Sequence, residues 1–158
     1  MTSRRTGRRT RRRVAGALAG VVLGPGLLAA CSGDPVEEYC AEVEDQRQPL
    51  SDVADAGGPT ALLEALPAFE ELQGASPTDL RDDWDVVVGR LTALDDALAQ
   101  AGVDPATYDA EEQADDLGED DRTAVESAAR QLATPEMVRA LEAVQQQARD
   151  VCGTSLTL

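Results

Sequence analysis

Apolar residues recur at helical spacing over most of the chain after residue 34. In the clearest segment they are separated by three or four positions, which places them on one face of an α-helix. This face consists of Leu80, Trp84, Val87, Val88, Leu91, Leu94 and Leu98. No segment alternates between apolar and polar residues with a period of two, so the sequence predicts no β-sheet. The pattern is typical of an all-α domain.

The first helix is predicted to begin at Asp34-Pro35, because aspartate is suited to cap a helix and proline to occupy its first turn. Glu37 stands three residues after the cap, as in a capping box. An apolar stripe follows, formed by Val36, Tyr39, Cys40 and Val43. Pro49 predicts a kink or the end of this helix, with one or two further turns before Ala56.

Two more helical segments are predicted between residues 59 and 102. The first starts at Pro59-Thr60, and Pro67 within it predicts a kink or a division into two short helices. Its inner face comprises Leu62, Leu63, Leu66, Phe69 and Leu72. The second has the strongest start signal of the chain, Ser76-Pro77-Thr78-Asp79, which combines a cap, a proline and an acidic residue. It carries the apolar face described above and is expected to stop at Gly102.

The C-terminal part predicts two shorter helices. The first covers residues 121–133, and its inward residues are Val125, Ala128, Ala129 and Leu132. The last helix is capped by Thr134-Pro135 and is expected to end at Gly153. Its stripe comprises Met137 or Val138, and then Leu141, Val144, Ala148, Val151 and Cys152. Four or five amphipathic helices joined by short turns predict an antiparallel bundle.

The segment 103–120 is rich in acidic residues and poor in apolar ones, so we expect a solvated loop there. An EF-hand calcium loop requires acidic residues at positions 1, 3 and 5, followed by glycine at position 6. If Gly118 takes position 6, Gln113 and Leu117 fall at positions 1 and 5, and the pattern fails. No metal site is therefore assigned.

The chain has four aromatic residues. Tyr39, Phe69 and Trp84 lie on apolar stripes and are expected in the core. Tyr108 lies in the acidic segment and is expected to be exposed, either as a binding residue or as an ordinary surface residue. So few aromatic side chains do not support the stacking platforms that sugar-binding sites usually need. An envelope hydrolase that relies on carboxylates alone is therefore the least favoured function.

The first 30 residues differ in composition from the rest of the chain. Seven arginines lie between Arg4 and Arg13 without any acidic residue, and residues 14–30 carry no charge. A basic stretch, an apolar stretch and small residues before a cleavage site are typical of a secretory signal. An uncleaved membrane anchor is the alternative. It is less favoured because Gly24-Pro25-Gly26 interrupts an apolar stretch of only seventeen residues.

Leu28-Ala29-Ala30-Cys31 resembles the lipobox of bacterial lipoproteins. With Tyr39-Cys40, Asp83-Trp84 and a cysteine near the end, the chain is similar to small actinobacterial lipoproteins that carry a helical domain of unknown function. The resemblance implies cleavage after residue 30, fatty chains such as palmitate on Cys31, and a location on the extracytoplasmic face of the cell membrane. The chain then divides into a signal peptide (1–30), a short lipidated tether (31–34) and an acidic helical domain (35–158).

Assigning Cys31 to the lipid leaves two other cysteines, Cys40 and Cys152, in an oxidising compartment. Each lies on an apolar helical stripe near one end of the domain. We therefore predict one disulfide bond that joins the first helix to the last. The alternative is a pair of free, buried thiols.

The chain after residue 30 holds all thirty acidic residues and seven of the fourteen arginines, which gives a formal charge of −23. Because such a body repels phosphate groups, we expect no nucleic-acid partner. The sequence contains neither histidine nor lysine. This excludes histidine-activated nucleophiles, histidine-based zinc sites and serine–lysine chemistry. We expect no enzymatic activity, no catalytic residue and no cofactor.

The expected function is a non-catalytic interaction module of the cell envelope, held at the membrane by the lipid on Cys31 and contacting another envelope protein. The alternative is a lipoprotein that binds a small ligand or a metal ion and works with a transporter. A concave apolar pocket with a few converging polar groups would favour this alternative. A filled core with an exposed apolar patch would favour a protein partner.

Overall fold

The computed structural model describes residues 33–156, and within this range the regular structure is helical. The α-helices are α1 (Pro35–Ala56), α2 (Ala61–Glu64), α3 (Leu66–Ala75), α4 (Arg81–Gln100), α5 (Ala110–Gln113), α6 (Glu119–Leu132) and α7 (Pro135–Asp150). Single 3-10 turns at Pro105–Thr107 and Ala114–Asp116 flank α5. The predicted all-α bundle is confirmed, and the Cys40–Cys152 disulfide joins its first and last helices.

The long helix α4 lies at the centre of the bundle. It packs against α3, α6 and α7, while α1 packs against α3. Every apolar residue of the face predicted for this segment, from Leu80 to Leu98, is buried. Burial of each such side chain contributes roughly 1.5–3 kcal/mol to folding. The core is therefore built around one helix whose inner face is visible in the sequence.

Three aromatic side chains meet in the larger core cluster, as predicted. Tyr39, Phe69 and Trp84 are fully buried. Trp84 Nε1 donates a hydrogen bond to Tyr39 Oη over 3.1 Å, and the ring centroids of Phe69 and Trp84 lie 5.8 Å apart. Burial raises the pKa of Tyr39 to about 12, and the hydrogen bond from Trp84 partly offsets this increase. Side chains from α1, α3 and α4 thus pack against one another at this place in the core.

The segment between α4 and α6 is folded, which corrects the prediction of a solvated loop. It forms α5 and the two 3-10 turns, and most of its carboxylates face solvent. Tyr108, expected to be exposed, is half-buried. Together with Val103 and Leu117 it packs against a second core cluster that consists of Leu94, Leu98 and Val125. A few apolar side chains, too widely spaced to form a helical pattern, are enough to hold this segment on the bundle.

The predicted helix start at Ser76 is wrong. Ser76 belongs to the end of α3, where its amide and its hydroxyl both donate hydrogen bonds to the carbonyl of Gln73. A turn covers Thr78 to Leu80, and α4 begins at Arg81 without a side-chain cap. Because Ser76 ends the preceding helix, it is not free to begin the next one.

Gly102 ends α4 as predicted, whereas α7 ends at Asp150, three residues before the predicted stop at Gly153. After α4, Gly102 has a φ of +74°, and the amide of Val103 donates to the carbonyl of Leu98 over 3.0 Å. This arrangement is a Schellman motif, in which the glycine takes the left-handed conformation that other residues rarely adopt. After α7, Gly153 has a φ of +67°.

Two prolines act differently on the helices that contain them. Pro67 lies in the first turn of α3. The helical segment predicted from Pro59-Thr60 is divided into α2 and α3, which was one of the two predicted outcomes, the other being a kink. Pro49 lies inside α1, so of the two outcomes predicted for it, a kink or an end, the end is wrong, and the further turns predicted up to Ala56 are present. Leu50 is buried and Val53 packs against the core, which holds the turns after Pro49 in place.

Three apolar residues assigned to inner faces lie at the surface instead. Val36 and Val151 are 37% and 47% exposed, and Ala129 is also exposed. Val36 lies in the first turn of α1, and Val151 follows the end of α7, where helical spacing no longer predicts packing. Of the two candidates at the start of α7, Met137 is the buried one.

Arg90 fastens the connection between α6 and α7 to α4. Its guanidinium donates hydrogen bonds to the carbonyl of Gln131 over 2.7 Å and to the hydroxyl of Thr134, and it pairs with Glu136. The hydroxyl of Thr134 in turn accepts a hydrogen bond from the amide of Met137 and so caps α7. The side chain of Arg90 is only 18% exposed, so solvent screens these contacts less than it screens surface pairs.

Arg90→Ala is expected to lower the free energy of unfolding by about 2 kcal/mol, because it removes charge-assisted hydrogen bonds from a largely buried position. The matched control is Arg130→Ala, since Arg130 makes only an exposed pair with Glu126 at 3.6 Å. The control is expected to change the stability by roughly 0.5 kcal/mol or less. Urea unfolding followed by far-ultraviolet circular dichroism measures both values, and equal losses would contradict the role assigned to Arg90.

Candidate functional site

The predicted lipidation site, Cys31, lies outside the described residues. At the start of the described residues, Asp34 caps α1 through a hydrogen bond from the amide of Val36 to its side chain (2.9 Å), and Pro35 begins the helix. Ser32 to Asp34 therefore separate Cys31 from the first helical turn. Three extended residues span at most roughly 10 Å.

Cys40 and Cys152 form the disulfide that the sequence predicted. Their sulfur atoms lie 2.00 Å apart and their Cα atoms 5.1 Å apart, across 112 positions of sequence. Cys40 lies in the second turn of α1, and Cys152 follows the end of α7 by two residues. The chain has three cysteines, and Cys31 is the one that does not take part in this bond.

The segment after Cys152 is held against α1. The amide of Thr154 donates to the carbonyl of Ala148 over 3.1 Å, and its hydroxyl donates to Glu44 over 3.2 Å. Leu156 is buried, a contact that the sequence analysis missed. An open depression of about 470 Å³ lies between this segment and α1, and most of its lining is polar. It is not the concave apolar pocket that a small-ligand site would require.

The acidic segment uses some of its carboxylates to cap its own short helices. Asp104 accepts a hydrogen bond from the amide of Ala106, and Asp109 accepts from the amides of Glu111 and Glu112. Burial raises the pKa of Tyr108, and the nearby Glu126 and Asp109 raise it further. No group of three or more acidic or cysteine side chains within residues 33–156 is arranged to hold a metal ion.

An apolar groove of about 280 Å³ lies between α1 and α3 and is open to solvent. Its apolar lining consists of Pro49, Leu50, Val53, Ala65, Pro67 and Ala68. Leu50 and Ala65 form a buried floor, at 1% and 3% exposure, whereas both prolines are exposed. The two prolines that interrupt the helical pattern thus lie on the same groove, which no sequence pattern indicated.

The polar lining of this groove carries negative charge. Glu64 and Glu71 lie on the side of α2 and α3, and Gln46 lies on the side of α1. Glu64 accepts a hydrogen bond from the hydroxyl of Thr60 over 2.7 Å, and Gln46 donates to Glu42 over 2.7 Å. None of the lining residues, all within the described range, is basic. The groove therefore combines an apolar floor with uncompensated carboxylates.

No protein family, curated protein or solved structure matches this sequence. Among residues 33–156, none of the helices has the length and apolar character needed to cross a bilayer.

Proposed function

We propose that this chain is a lipoprotein that is anchored through Cys31 on the extracytoplasmic face of the cell membrane and acts there as a non-catalytic interaction module. The basic leader, the uncharged segment 14–30 and the Leu28-Ala29-Ala30-Cys31 sequence support export and lipid attachment. A diacylglycerol on Cys31 places α1 within roughly 10 Å of the bilayer surface.

The observation that carries this proposal is the pairing of Cys40 with Cys152. A stable disulfide is typical of proteins that fold outside the reducing cytosol. The same bond consumes two of the three cysteines, and the third stands at the end of the apolar leader segment. Cysteine usage and leader composition thus support the same assignment independently.

The surface of the helical domain supports an interaction role. The chain after residue 30 carries a formal charge of −23, and the domain presents an apolar groove and uses its large aromatic side chains in the core. Without histidine and lysine, it lacks the side chain that titrates near neutral pH and the bases that commonly activate a serine or cysteine nucleophile. Contact with another envelope component is the function that these features favour.

Mass spectrometry of the protein purified from its own cells tests the anchor. We expect a mature chain that starts at Cys31 and is heavier than its sequence by a diacylglycerol group. Cys31→Ala is expected to abolish processing and lipid attachment, whereas the matched control Ser32→Ala leaves both intact. A purified chain that retains residues 1–30 and an unmodified Cys31 thiol would overturn the proposal.

A further inference from the structure

We propose that the groove between α1 and α3 binds a basic peptide segment of an envelope partner. In this arrangement an apolar side chain of the partner enters the groove, and arginine or lysine side chains beside it meet the acidic rim. The inference rests on the proposed function of an interaction module, and it specifies where the partner binds and what chemistry it presents.

The floor of the groove explains the need for an apolar side chain. Leu50 and Ala65 close the floor, while Pro49 and Pro67 expose their rings on either side. Displacement of water from such a surface by an apolar group is favourable by roughly 25 cal/mol for each Å² that becomes buried. A volume of about 280 Å³ has room for a large aliphatic or aromatic side chain.

Charge selects the kind of partner. Glu64 and Glu71 lie on the rim, and neither forms an ion pair within residues 33–156. A second copy of the chain after residue 30 would bring a further formal charge of −23 to this surface, and a nucleic acid would bring phosphates. A basic segment is the occupant that complements the rim.

The length of the groove indicates a short segment. Its lining on α1 runs from Gln46 to Val53 and on the opposite side from Glu64 to Glu71, so each wall is about two helical turns, or roughly 10 Å, long. This matches the way in which an amphipathic helix places a few anchor residues in a groove of its receptor.

Titration with designed peptides tests the proposal. Residues Ser32–Leu158 form a compact unit that contains the whole described core and the disulfide, so this unit is used as the receptor. The probe is a fluorescent amphipathic peptide of leucine and arginine at helical spacing. A second peptide with serine in place of leucine keeps the charge but lacks the anchor, and a third carries glutamate in place of arginine.

We expect the leucine–arginine peptide to bind with one-to-one stoichiometry and at least roughly tenfold more tightly than either control peptide. Ala68→Leu fills the groove without changing the charge and is expected to weaken binding roughly tenfold or more. Glu64→Gln with Glu71→Gln is expected to weaken it roughly tenfold. The matched control is Asp120→Asn with Glu142→Gln, which makes the same change of charge on the exposed surfaces of α6 and α7 and leaves binding unchanged.

Unchanged melting temperatures of the variants establish that the groove, and not the fold, is altered. The proposal is overturned if the probe fails to bind, if the serine–arginine peptide binds equally well, or if the control pair of substitutions weakens binding as much as the rim pair. It is also overturned if sedimentation shows self-association that Ala68→Leu abolishes, because a second copy then occupies the groove. Lipid attachment at Cys31 is measured separately, so failure of the groove and failure of the anchor are distinguishable.

Discussion

Removal of the Cys40–Cys152 disulfide is expected to lower the free energy of unfolding by about 4–5 kcal/mol. The bond closes a loop of 112 positions, so its loss allows the unfolded chain a much larger set of conformations. A domain of this size is usually stable by only about 5–15 kcal/mol. The double variant Cys40→Ala with Cys152→Ala is therefore expected to lose between roughly a third and nearly all of this stability.

Urea unfolding of the Ser32–Leu158 unit, with and without a reductant, measures this effect. The unit contains no cysteine other than Cys40 and Cys152, so a reductant acts on it through this bond alone. The double variant serves as the matched control, because a reductant should leave its unfolding curve unchanged. A loss of less than about 1 kcal/mol would show that the packing of α1 against α3 holds the first helix without the bond.

The disulfide was predictable because two independent patterns agree on it. Once Cys31 is assigned to the lipid, the two remaining cysteines give one possible pair, and the helical stripes place each of its members near one end of the domain. The inner face of α4 was predictable for a similar reason. Seven apolar residues at helical spacing leave no other face for burial, and all seven are buried in the folded chain.

Helix boundaries were less predictable because one residue can serve either of two helices. Ser76-Pro77-Thr78-Asp79 has the composition of a helix start, but Ser76 donates both of its hydrogen bonds to Gln73 and so ends α3. Leu80 then occupies the cap of α4 and is buried. Tertiary packing of one leucine outweighs a local capping preference of about 1 kcal/mol.

The acidic segment was predicted wrongly because composition reports the average residue and not the few that pack. Most of its side chains are charged and exposed, as the sequence suggested. Val103, Tyr108 and Leu117 nevertheless attach it to the second core cluster. Leu156, near the end of the chain, is a similar case, because an isolated leucine outside a helical pattern gives no signal of burial.

The candidate binding groove could not be predicted, because the pattern along each helix does not show which residues of different helices lie together. In the sequence, Pro49 and Pro67 are separate interruptions of separate helices. Their position on one groove follows from the packing of α1 against α3, and so does the position of Glu64 and Glu71 on its rim. The lipidation of Cys31, in contrast, is predicted from a contiguous sequence signal, and that prediction needs no structure.

The second large effect is expected for Trp84→Ala, which should lower the free energy of unfolding by about 3–5 kcal/mol. Trp84 is fully buried at the point where α1, α3 and α4 meet. Its removal leaves a cavity beside Phe69 and deprives Tyr39 of its hydrogen-bond donor. Because a well-packed interior relaxes only partly around such a cavity, all three helices lose contacts at once.

Two comparison variants separate the causes of this loss. Tyr39→Phe keeps the ring but leaves the indole N–H of Trp84 buried without an acceptor, which is expected to lower the stability by about 1–3 kcal/mol. Val138→Ala truncates an apolar side chain that is 47% exposed on α7 and is expected to change the stability by roughly 0.5 kcal/mol or less. Trp84 is the only tryptophan of the chain, so far-ultraviolet circular dichroism is used in place of fluorescence to follow unfolding. If Trp84→Ala lost no more stability than Val138→Ala, the central position assigned to this side chain would be wrong.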